Sequence, residues 1–266
     1  MKVLIAGAGN MGNTYAKSFL ASRFIDGGDL YLLERSSGSA AVPKEIPKGN
    51  IHHQAGEFIS QTDIIILAVK PQDFSALGKQ IAPYIQQGQL VLSIMAGIKI
   101  SAIYDALGAT KIVRAMPNLP AQIGMGMTVF TSSSDIDKKE LFIMQNLINT
   151  TGKSVYVEDE NMIDAATAIS GSGPAYVYYF MEAMIQAGVK MGFTLSQSEL
   201  LVNQTFMGAV HLHNQSDLTC NEWITRVASK GGTTEAALKV LSDSTVDANT
   251  QSALFAAFNR AKELGN

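Results

Sequence analysis

Six residues near the start of the chain have the types and spacing of a phosphate-binding turn. Gly7, Gly9 and Gly12 form a G-x-G-x-x-G pattern between an apolar run at residues 2–6 and a helical pattern at residues 13–21. The first glycine allows a sharp turn, the second leaves room for a pyrophosphate, and the third lets the helix pack close to the strand. The motif predicts dinucleotide binding at a helix N-terminus, and a tight turn without a ligand is the alternative. Its members are Gly7, Ala8, Gly9, Asn10, Met11 and Gly12.

Residues at the end of the second predicted strand give conflicting signals about the coenzyme. Glu34 ends the run at residues 29–34, about 20 positions beyond the glycine motif, where a carboxylate holds ribose hydroxyls and favours NADH. Arg35 and Ser36 follow at once, and a guanidinium beside hydroxyl groups suits the 2′-phosphate of NADPH. The choice between the two coenzymes stays open. So does the alternative that Glu34 and Arg35 simply end a strand in water.

Two later strands also end in candidate site residues. Residues 69–71 close a nearly unbroken aliphatic run at residues 62–69, and ligands of parallel α/β sheets bind beyond the carboxyl ends of strands. Asn118 lies in a proline-stiffened turn that follows a short strand at residues 111–115. We expect residues 69–71 at the coenzyme crevice. For Asn118 the alternatives are a wall of the site and a plain loop.

Glycine-rich stretches precede two helices in the second half of the chain. They are SGSGP at residues 170–174 and SKGGTT at residues 229–234, and both can present clustered N–H groups to an anion. The second would hold a small carboxylate with backbone donors and leave a threonine hydroxyl for another substrate atom. A hinge between helices is the alternative for the first stretch, and an ordinary helix N-cap is the alternative for the second.

The elements that must position these residues change character along the chain. Strands and helices alternate up to residue 158, which predicts a doubly wound sheet, and only helical segments follow. Strands are predicted at residues 2–6, 29–34, near 51, 62–69, 89–94, 111–115, 127–131 and 154–157. Helices are predicted at residues 13–21, 72–84, 101–107, 136–149, 159–169, 174–191, 196–214, 220–228, 234–241 and 247–264. The fold class is thus an α/β domain with a doubly wound sheet, residues 1–158, followed by an all-α domain, residues 159–266.

The predicted helix at residues 174–191 indicates a protein partner. It is apolar on nearly every face, with Glu182, Gln186 and Lys190 as polar exceptions. A domain of about a hundred residues cannot easily surround such a helix, so we expect a second copy of the chain to cover it. The sequence therefore predicts a homodimer formed by the helical half, and leaves open whether dimers assemble further.

Composition narrows the classes of function. The chain has 266 residues, of which 47% are hydrophobic and 16% charged, and its net charge of -3 offers no footprint for nucleic acid or an anionic membrane. No run approaches the ~20 apolar residues of a membrane span. The single cysteine, Cys220, cannot form an internal disulfide, which favours a reducing, cytoplasmic setting. The four histidines fall in no motif, and no metal-ligand spacing is present, so no metal is expected.

Five motifs, in order and over essentially the whole chain, resemble those of pyrroline-5-carboxylate reductase. They are GAGNMG at residues 7–12, AVKPQ at 68–72, RAMPN at 114–118, SGSGPAY at 170–176 and GGTTEAAL at 231–238. The resemblance implies reduction of 1-pyrroline-5-carboxylate to L-proline, the last step of proline synthesis, with NADPH or NADH. It also implies a Rossmann-type domain followed by a helical dimerisation domain.

The same resemblance assigns roles to individual residues. The segment Ser229 to Thr234 would bind the substrate carboxylate, with Thr234 against the imine nitrogen. Ala68, Val69, Lys70 and Pro71, with Asn118 nearby, would line the nicotinamide side. The substrate residues are then Ser229, Gly231, Gly232, Thr233 and Thr234, with Thr234 as the catalytic residue. We hypothesise that the amides of residues 231–233 bind the carboxylate.

Two departures and two rival functions remain. The family usually has proline at the position of Lys230 and threonine at that of Leu119, and either change could alter substrate affinity. One rival is a related reductase acting on a ketone or hydroxy acid, which normally uses a lysine or histidine acid, and residues 164–169 contain neither. The other is a non-catalytic dinucleotide sensor. The size of the imine ring that is accepted cannot be read from the motifs.

Overall fold

The computed structural model describes residues 1–35 and 42–265. The chain divides into two compact units, one formed by Met1–Pro174 with Ala257–Asn266 and the other by Ala175–Ala256. The first contains the sheet, and the second consists of helices. Within the described ranges, no helix is both long and apolar enough to cross a membrane.

The first unit is built on an eight-stranded sheet with the order β3-β2-β1-β4-β5-β6-β7-β8. The strands are β1 Val3–Ala6, β2 Leu30–Leu33, β3 Ile51–His52, β4 Ile64–Leu67, β5 Leu90–Ser93, β6 Ile112–Met116, β7 Gly126–Ser132 and β8 Gly152–Tyr156. The first six strands are parallel, β7 is antiparallel to β6, and β8 is parallel to β7. The short link before β7 contains only a 3-10 turn, Leu119–Ile123, which is too short for a parallel crossover.

Among the residues that the structure describes, four helices cover the two faces of this sheet. They are α1 Asn10–Ala21, α2 Phe74–Ile81, α3 Ile100–Leu107 and α4 Lys138–Asn149. Val3 and Ile5 of β1 pack in one hydrophobic cluster with residues of α1 and α4, such as Phe19 and Leu147. The intervening residue of β1, Leu4, belongs to a second cluster on the other face, with α2 and α3. Because β1 and β4 are buried on both faces, they read as unbroken apolar runs, and the predicted Rossmann-type fold is confirmed.

Two helix predictions in this unit need correction. Helix α1 begins three residues before the predicted position 13, because Gly9 is already its N-cap and the end of the glycine motif forms its first turn. The helix predicted at residues 72–84 is instead the short α2 between 3-10 turns at Pro71–Asp73 and Ala82–Tyr84. Pro83, inside the predicted range, lacks the N–H that a continuous helix requires.

The remaining helices are α5 Met162–Ala166, α6 Gly173–Lys190, α7 Leu195–Asn214, α8 Cys220–Val227, α9 Thr233–Asp243 and α10 Val246–Leu264. The helix predicted at residues 159–169 is shorter, since α5 passes into a π-helical turn at Thr167–Gly171. Capping boxes begin α7 and α8, at Thr194 with Gln197 and at Thr219 with Glu222, and α8 begins where the helix at residues 220–228 was predicted to begin.

The helical unit has little interior of its own. Ile185 of α6 and Val202 of α7 are the buried hydrophobic side chains among the described residues of Ala175–Ala256. Large apolar side chains on both helices are exposed instead, in line with the prediction from the apolar helix at residues 174–191. They include Val177, Tyr178, Tyr179, Met184, Leu200, Leu201, Met207 and Val210.

Candidate active site

The glycine motif forms a close-packed turn between β1 and α1. Gly7 has a φ of +109°, and a Cβ at this position would lie 2.8 Å from the backbone of Ala68, which follows β4. A Cβ on Gly12 would lie 1.9 Å from the Gly7 carbonyl oxygen, so α1 packs directly onto the turn. Buried Asn13 reinforces it by donating from Nδ2 to the Ala8 carbonyl at 2.6 Å. Gly12 is therefore required by contact, and Gly7 is required both by contact and by its positive φ.

The same turn leaves space where a pyrophosphate would bind. A Cβ at Gly9 would meet no atom within 4 Å. Gly9 is also the N-cap of α1, and no side chain caps this helix end. The first N–H groups of α1 thus face an open position at the positive end of the helix dipole, with no side chain of the described residues filling the cap. This cradle fits a dinucleotide pyrophosphate.

Segments that follow β2 and β4 flank this turn. The Gly7 N–H donates to the Leu33 carbonyl at 2.9 Å, and the Ala68 N–H donates to the Ala6 carbonyl at 2.9 Å. Val69 also lies against Gly7, since a Cβ there would be 2.9 Å from its Cγ1. The structure therefore brings together Gly7, Gly12, Ala68 and Val69. Lys70 is exposed and Pro71 half-buried at the start of the following 3-10 turn.

The two charged candidates after β2 lie in different surroundings. Glu34 is buried, and its N–H donates to the His52 carbonyl at 3.0 Å. Arg35 is exposed, and its Nη2 lies 3.2 Å from Oδ1 of Asp73. The third candidate, Ser36, lies outside the described residues.

Asn118 uses both ends of its side-chain amide within the protein. Its Oδ1 accepts from the Met127 N–H at 2.9 Å, and its Nδ2 donates to the Ser170 carbonyl at 3.1 Å. Pro174 stands four residues after Ser170 and has no N–H, so this carbonyl lacks its α-helical donor. Asn118 supplies the missing donor at the π-helical turn. π-Helical turns are frequent at functional sites. The SGSGP motif did not predict this turn.

Arg114 forms buried ion pairs that were not predicted, and the sequence analysis named it only within the RAMPN motif at residues 114–118. Its side chain is almost completely buried, with Nη1 2.9 Å from Oε1 of Glu160 and Nη2 3.0 Å from Oδ1 of Asp164. Glu160 Oε1 also accepts from the Ile100 N–H at 2.9 Å. The guanidinium thereby fastens the start of α5 to β6. An arginine inside an otherwise apolar strand was the available signal.

The predicted substrate loop lies in the helical unit, before α9. Gly231 has a φ of +74°, and its N–H donates to Oε2 of Glu235 at 2.6 Å. The Gly232 N–H donates to the Ser229 carbonyl at 3.0 Å. These two amides are thus used within the loop, and their predicted role toward a carboxylate stays a prediction. Gly232 is the N-cap of α9 without a side-chain cap.

The threonines of this loop begin α9. Thr233 is exposed and Thr234 half-buried in the first turn, with the positive end of the helix dipole beside them. Both departures from the family pattern, Lys230 and Leu119, are exposed. The coenzyme candidates and the substrate candidates therefore lie in different units of the chain.

Two family models match the chain. Residues 160–264 match pyrroline-5-carboxylate reductase dimerisation, and residues 2–97 match NADP oxidoreductase coenzyme F420-dependent. These matches fall on the helical part and on the glycine-motif part of the chain, respectively.

Relatives match over nearly the full length. Pyrroline-5-carboxylate reductase of Staphylococcus saprophyticus is 32% identical over 100% of this chain and 98% of the relative. Pyrroline-5-carboxylate reductase 2 of Bacillus subtilis is 36% identical over 91% of this chain and 87% of the relative. The crystal structure of Plasmodium falciparum pyrroline carboxylate reductase with NADP bound superposes with a TM-score of 0.90, at 30% identity, covering 100% of this chain and 98% of that one. The chain belongs to the pyrroline-5-carboxylate reductase family.

Proposed function

We propose that the chain reduces 1-pyrroline-5-carboxylate to L-proline with NAD(P)H, as the final step of proline biosynthesis. The observation that carries the proposal is the glycine turn, which is close-packed at Gly7 and Gly12 and open at Gly9. The assignment of 1-pyrroline-5-carboxylate as the substrate rests on full-length similarity to pyrroline-5-carboxylate reductases. A cytoplasmic location stays a prediction from composition.

The coenzyme would be held by the turn and its neighbours. N–H groups of Asn10, Met11 and Gly12, at the uncapped start of α1, are suited to the pyrophosphate. Glu34 and Arg35 would face the adenosine ribose, and Ala68 to Pro71 with Asn118 would border the nicotinamide. When bound, the reduced nicotinamide supplies the hydride that is added to the imine carbon. NADPH is the expected coenzyme, with NADH as the alternative, and the relative with NADP bound supports this order.

The substrate would bind at the start of α9. N–H groups there and the Ser229 hydroxyl are suited to the carboxylate, because the helix dipole favours an anion at this end. The Thr234 hydroxyl would accept from the protonated ring nitrogen and orient the imine carbon. Such an imine already carries its proton, so no strong acid is required from the protein. Catalysis then comes from orientation and electrostatics.

The two halves of the chain would divide these tasks between them. We assign dinucleotide binding to residues 1–158, and dimerisation and substrate binding to residues 159–266. The match of residues 160–264 to a dimerisation family supports a homodimer formed by the helical half. Exposed apolar side chains on α6 and α7 give the physical reason, since a second copy would remove them from water.

The test follows the loss of absorbance of the reduced nicotinamide when 1-pyrroline-5-carboxylate is added, in parallel with NADPH and NADH. Thr234→Ala should lower kcat by about 10- to 100-fold, because a hydrogen bond to a charged group contributes about 1.5–3 kcal/mol. The Kd of NADPH should stay unchanged. Thr225→Ala is the matched control, since Thr225 is an exposed threonine of α8 whose hydroxyl donates to the Asn221 carbonyl.

Three results would contradict the proposal. Full activity of Thr234→Ala would show that Thr234 is not the catalytic residue. Absence of turnover with either coenzyme, despite measurable coenzyme binding, would favour a reductase for a ketone or another imine. Absence of any coenzyme binding would overturn the role of the glycine turn.

A further inference from the structure

An ion pair spans the carboxyl edge of the sheet beside the glycine turn. Arg35 follows β2, Asp73 ends the 3-10 turn that follows β4, and their side chains meet at 3.2 Å. Strand β1 lies between β2 and β4 in the sheet, and Gly7 follows it directly. The pair therefore joins the two segments that border the dinucleotide cradle on either side.

The carboxylate of Asp73 does not cap α2. Asp73 ends the 3-10 turn with helical backbone angles, φ -89° and ψ -12°, and so lacks the extended geometry from which an N-cap aspartate accepts a backbone N–H of the first turn. Its side chain makes no such cap, and its carboxylate is instead directed to Arg35. The side chain of Asp73 is 28% exposed, whereas that of Arg35 is 80% exposed. A partly buried carboxylate is thus paired with a largely exposed guanidinium.

Arg35 is placed where it would distinguish the two coenzymes. In dinucleotide folds the adenosine ribose lies at the end of the second strand, where an acidic residue binds the 2′-hydroxyl and a nearby arginine accommodates a 2′-phosphate. Glu34 and Arg35 occupy these positions here. A 2′-phosphate would require the same guanidinium that is now paired with Asp73, and would bring two anions together.

We propose that Asp73 is a specificity-determining residue that lowers the preference of this chain for NADPH over NADH. It does so by competing with the 2′-phosphate for Arg35 and by repelling that phosphate. NADH carries a hydroxyl at the same place and is not subject to either effect. The inference rests on the proposed function, because it assumes that the cradle binds NAD(P)H.

The size of the effect follows from the exposure of the pair. An exposed ion pair changes a binding constant by about fivefold or less, and a solvated repulsion between neighbouring anions has an effect of similar size. Removing the carboxylate should therefore raise the preference for NADPH by about three- to tenfold. The difference should shrink at high salt, since exposed charges are screened.

The experiment compares Asp73→Asn with Asp105→Asn, which removes the same charge from an exposed position on α3. Kd values for NADPH and NADH are measured by nicotinamide fluorescence, and those for 2′,5′-ADP and 5′-AMP by calorimetry. In Asp73→Asn the ratio of the NADH Kd to the NADPH Kd should rise about three- to tenfold, and 2′,5′-ADP should bind more tightly. Asp105→Asn should leave the ratio of the NADH Kd to the NADPH Kd unchanged, and likewise the ratio of the 5′-AMP Kd to the 2′,5′-ADP Kd.

A second background tests the role of Arg35. When Arg35→Gln is already present, adding Asp73→Asn should change the ratio far less. An unchanged ratio in Asp73→Asn, an equal change in Asp105→Asn, or an undiminished effect without Arg35 would overturn the inference while leaving the proposed function intact. Failure of the unmodified chain to bind either coenzyme would overturn both.

Discussion

The two units of the chain differ in how far they bury their apolar side chains. Strands β1 and β4 of the first unit are entirely buried, and helices cover both faces of its sheet. In the second unit, Tyr179 on α6 is 75% exposed and only Ile185 and Val202 are buried hydrophobic residues among those described. The first unit thus completes its own core. The second unit needs apolar surface from elsewhere, and a second copy of the chain is the simplest source.

The largest effect should come from a charge on the uncovered apolar surface of the second unit. Tyr179→Glu should dissociate the dimer, because burying an unpaired carboxylate from each copy costs about 5 kcal/mol or more in total. Light scattering after size exclusion would show the monomer. Phe142→Glu is the control, since Phe142 is 65% exposed on α4 of the first unit. A dimer that persists in Tyr179→Glu would place the contact elsewhere.

A buried ion pair of the first unit should matter far more than an exposed one of the second. Asp164→Ala leaves the buried guanidinium of Arg114 with one partner fewer, and should lower the free energy of unfolding by about 3–5 kcal/mol. Asp243→Ala breaks the exposed pair with Lys239, at 2.8 Å, and should cost less than about 0.5 kcal/mol. Thermal unfolding of both variants measures the difference. Equal losses would contradict the contrast between the units.

Alkaline pH should destabilise the first unit through Tyr15. Burial raises the pKa of Tyr15 from 10.0 to about 12, although the hydroxyls of Thr151 and Thr128 oppose the rise. The unfolded chain therefore loses this proton near pH 10, while the folded chain keeps it to about pH 12. Stability present below pH 10 should fall by about 2–3 kcal/mol between these values. In Tyr15→Phe this part of the pH dependence should vanish, and an unchanged profile would refute the assignment.

The smallest effect concerns the π-helical turn. Asn118→Ala should lower the free energy of unfolding by about 1–2 kcal/mol, because the Ser170 carbonyl loses its donor and the Met127 N–H loses its acceptor. In a Pro174→Ala background the loss should be smaller, since residue 174 then has an N–H for that carbonyl. A double-mutant cycle by thermal unfolding measures the coupling. Equal losses in both backgrounds would show that Pro174 is not the cause.

Local pattern was sufficient to predict most elements of the fold. Apolar runs located the central strands, because β1 and β4 are buried on both faces. The helix predicted at residues 220–228 begins at the predicted residue, after a capping box at Thr219. The start of α1 was placed too late, because a glycine-rich sequence does not show which of its residues already have helical geometry. The antiparallel direction of β7 depends on pairing, which side-chain periodicity does not encode.

Within the candidate site, the sequence suggested individual residues but not the groups with which they pair. The roles of Gly7 and Gly12 follow from a spacing that encodes close contacts, and the structure contains those contacts. The bonds from Arg114 to Asp164 and from Arg35 to Asp73 join residues far apart in the chain. Nothing in a local pattern specifies such pairs. The same holds for Asn118, whose partner is the Ser170 carbonyl, which has no α-helical donor because Pro174 lacks an N–H.

The need of the Ser170 carbonyl for a donor other than residue 174 has a consequence for the evolution of the family. A relative with another amino acid in place of Pro174 has its own N–H for the preceding turn and no longer needs the amide donor of Asn118. The two positions should then vary together among homologous sequences, although they lie on different elements. Loss of the proline should come first in evolution and loss of the asparagine second, because the reverse order passes through a partly buried carbonyl without a donor.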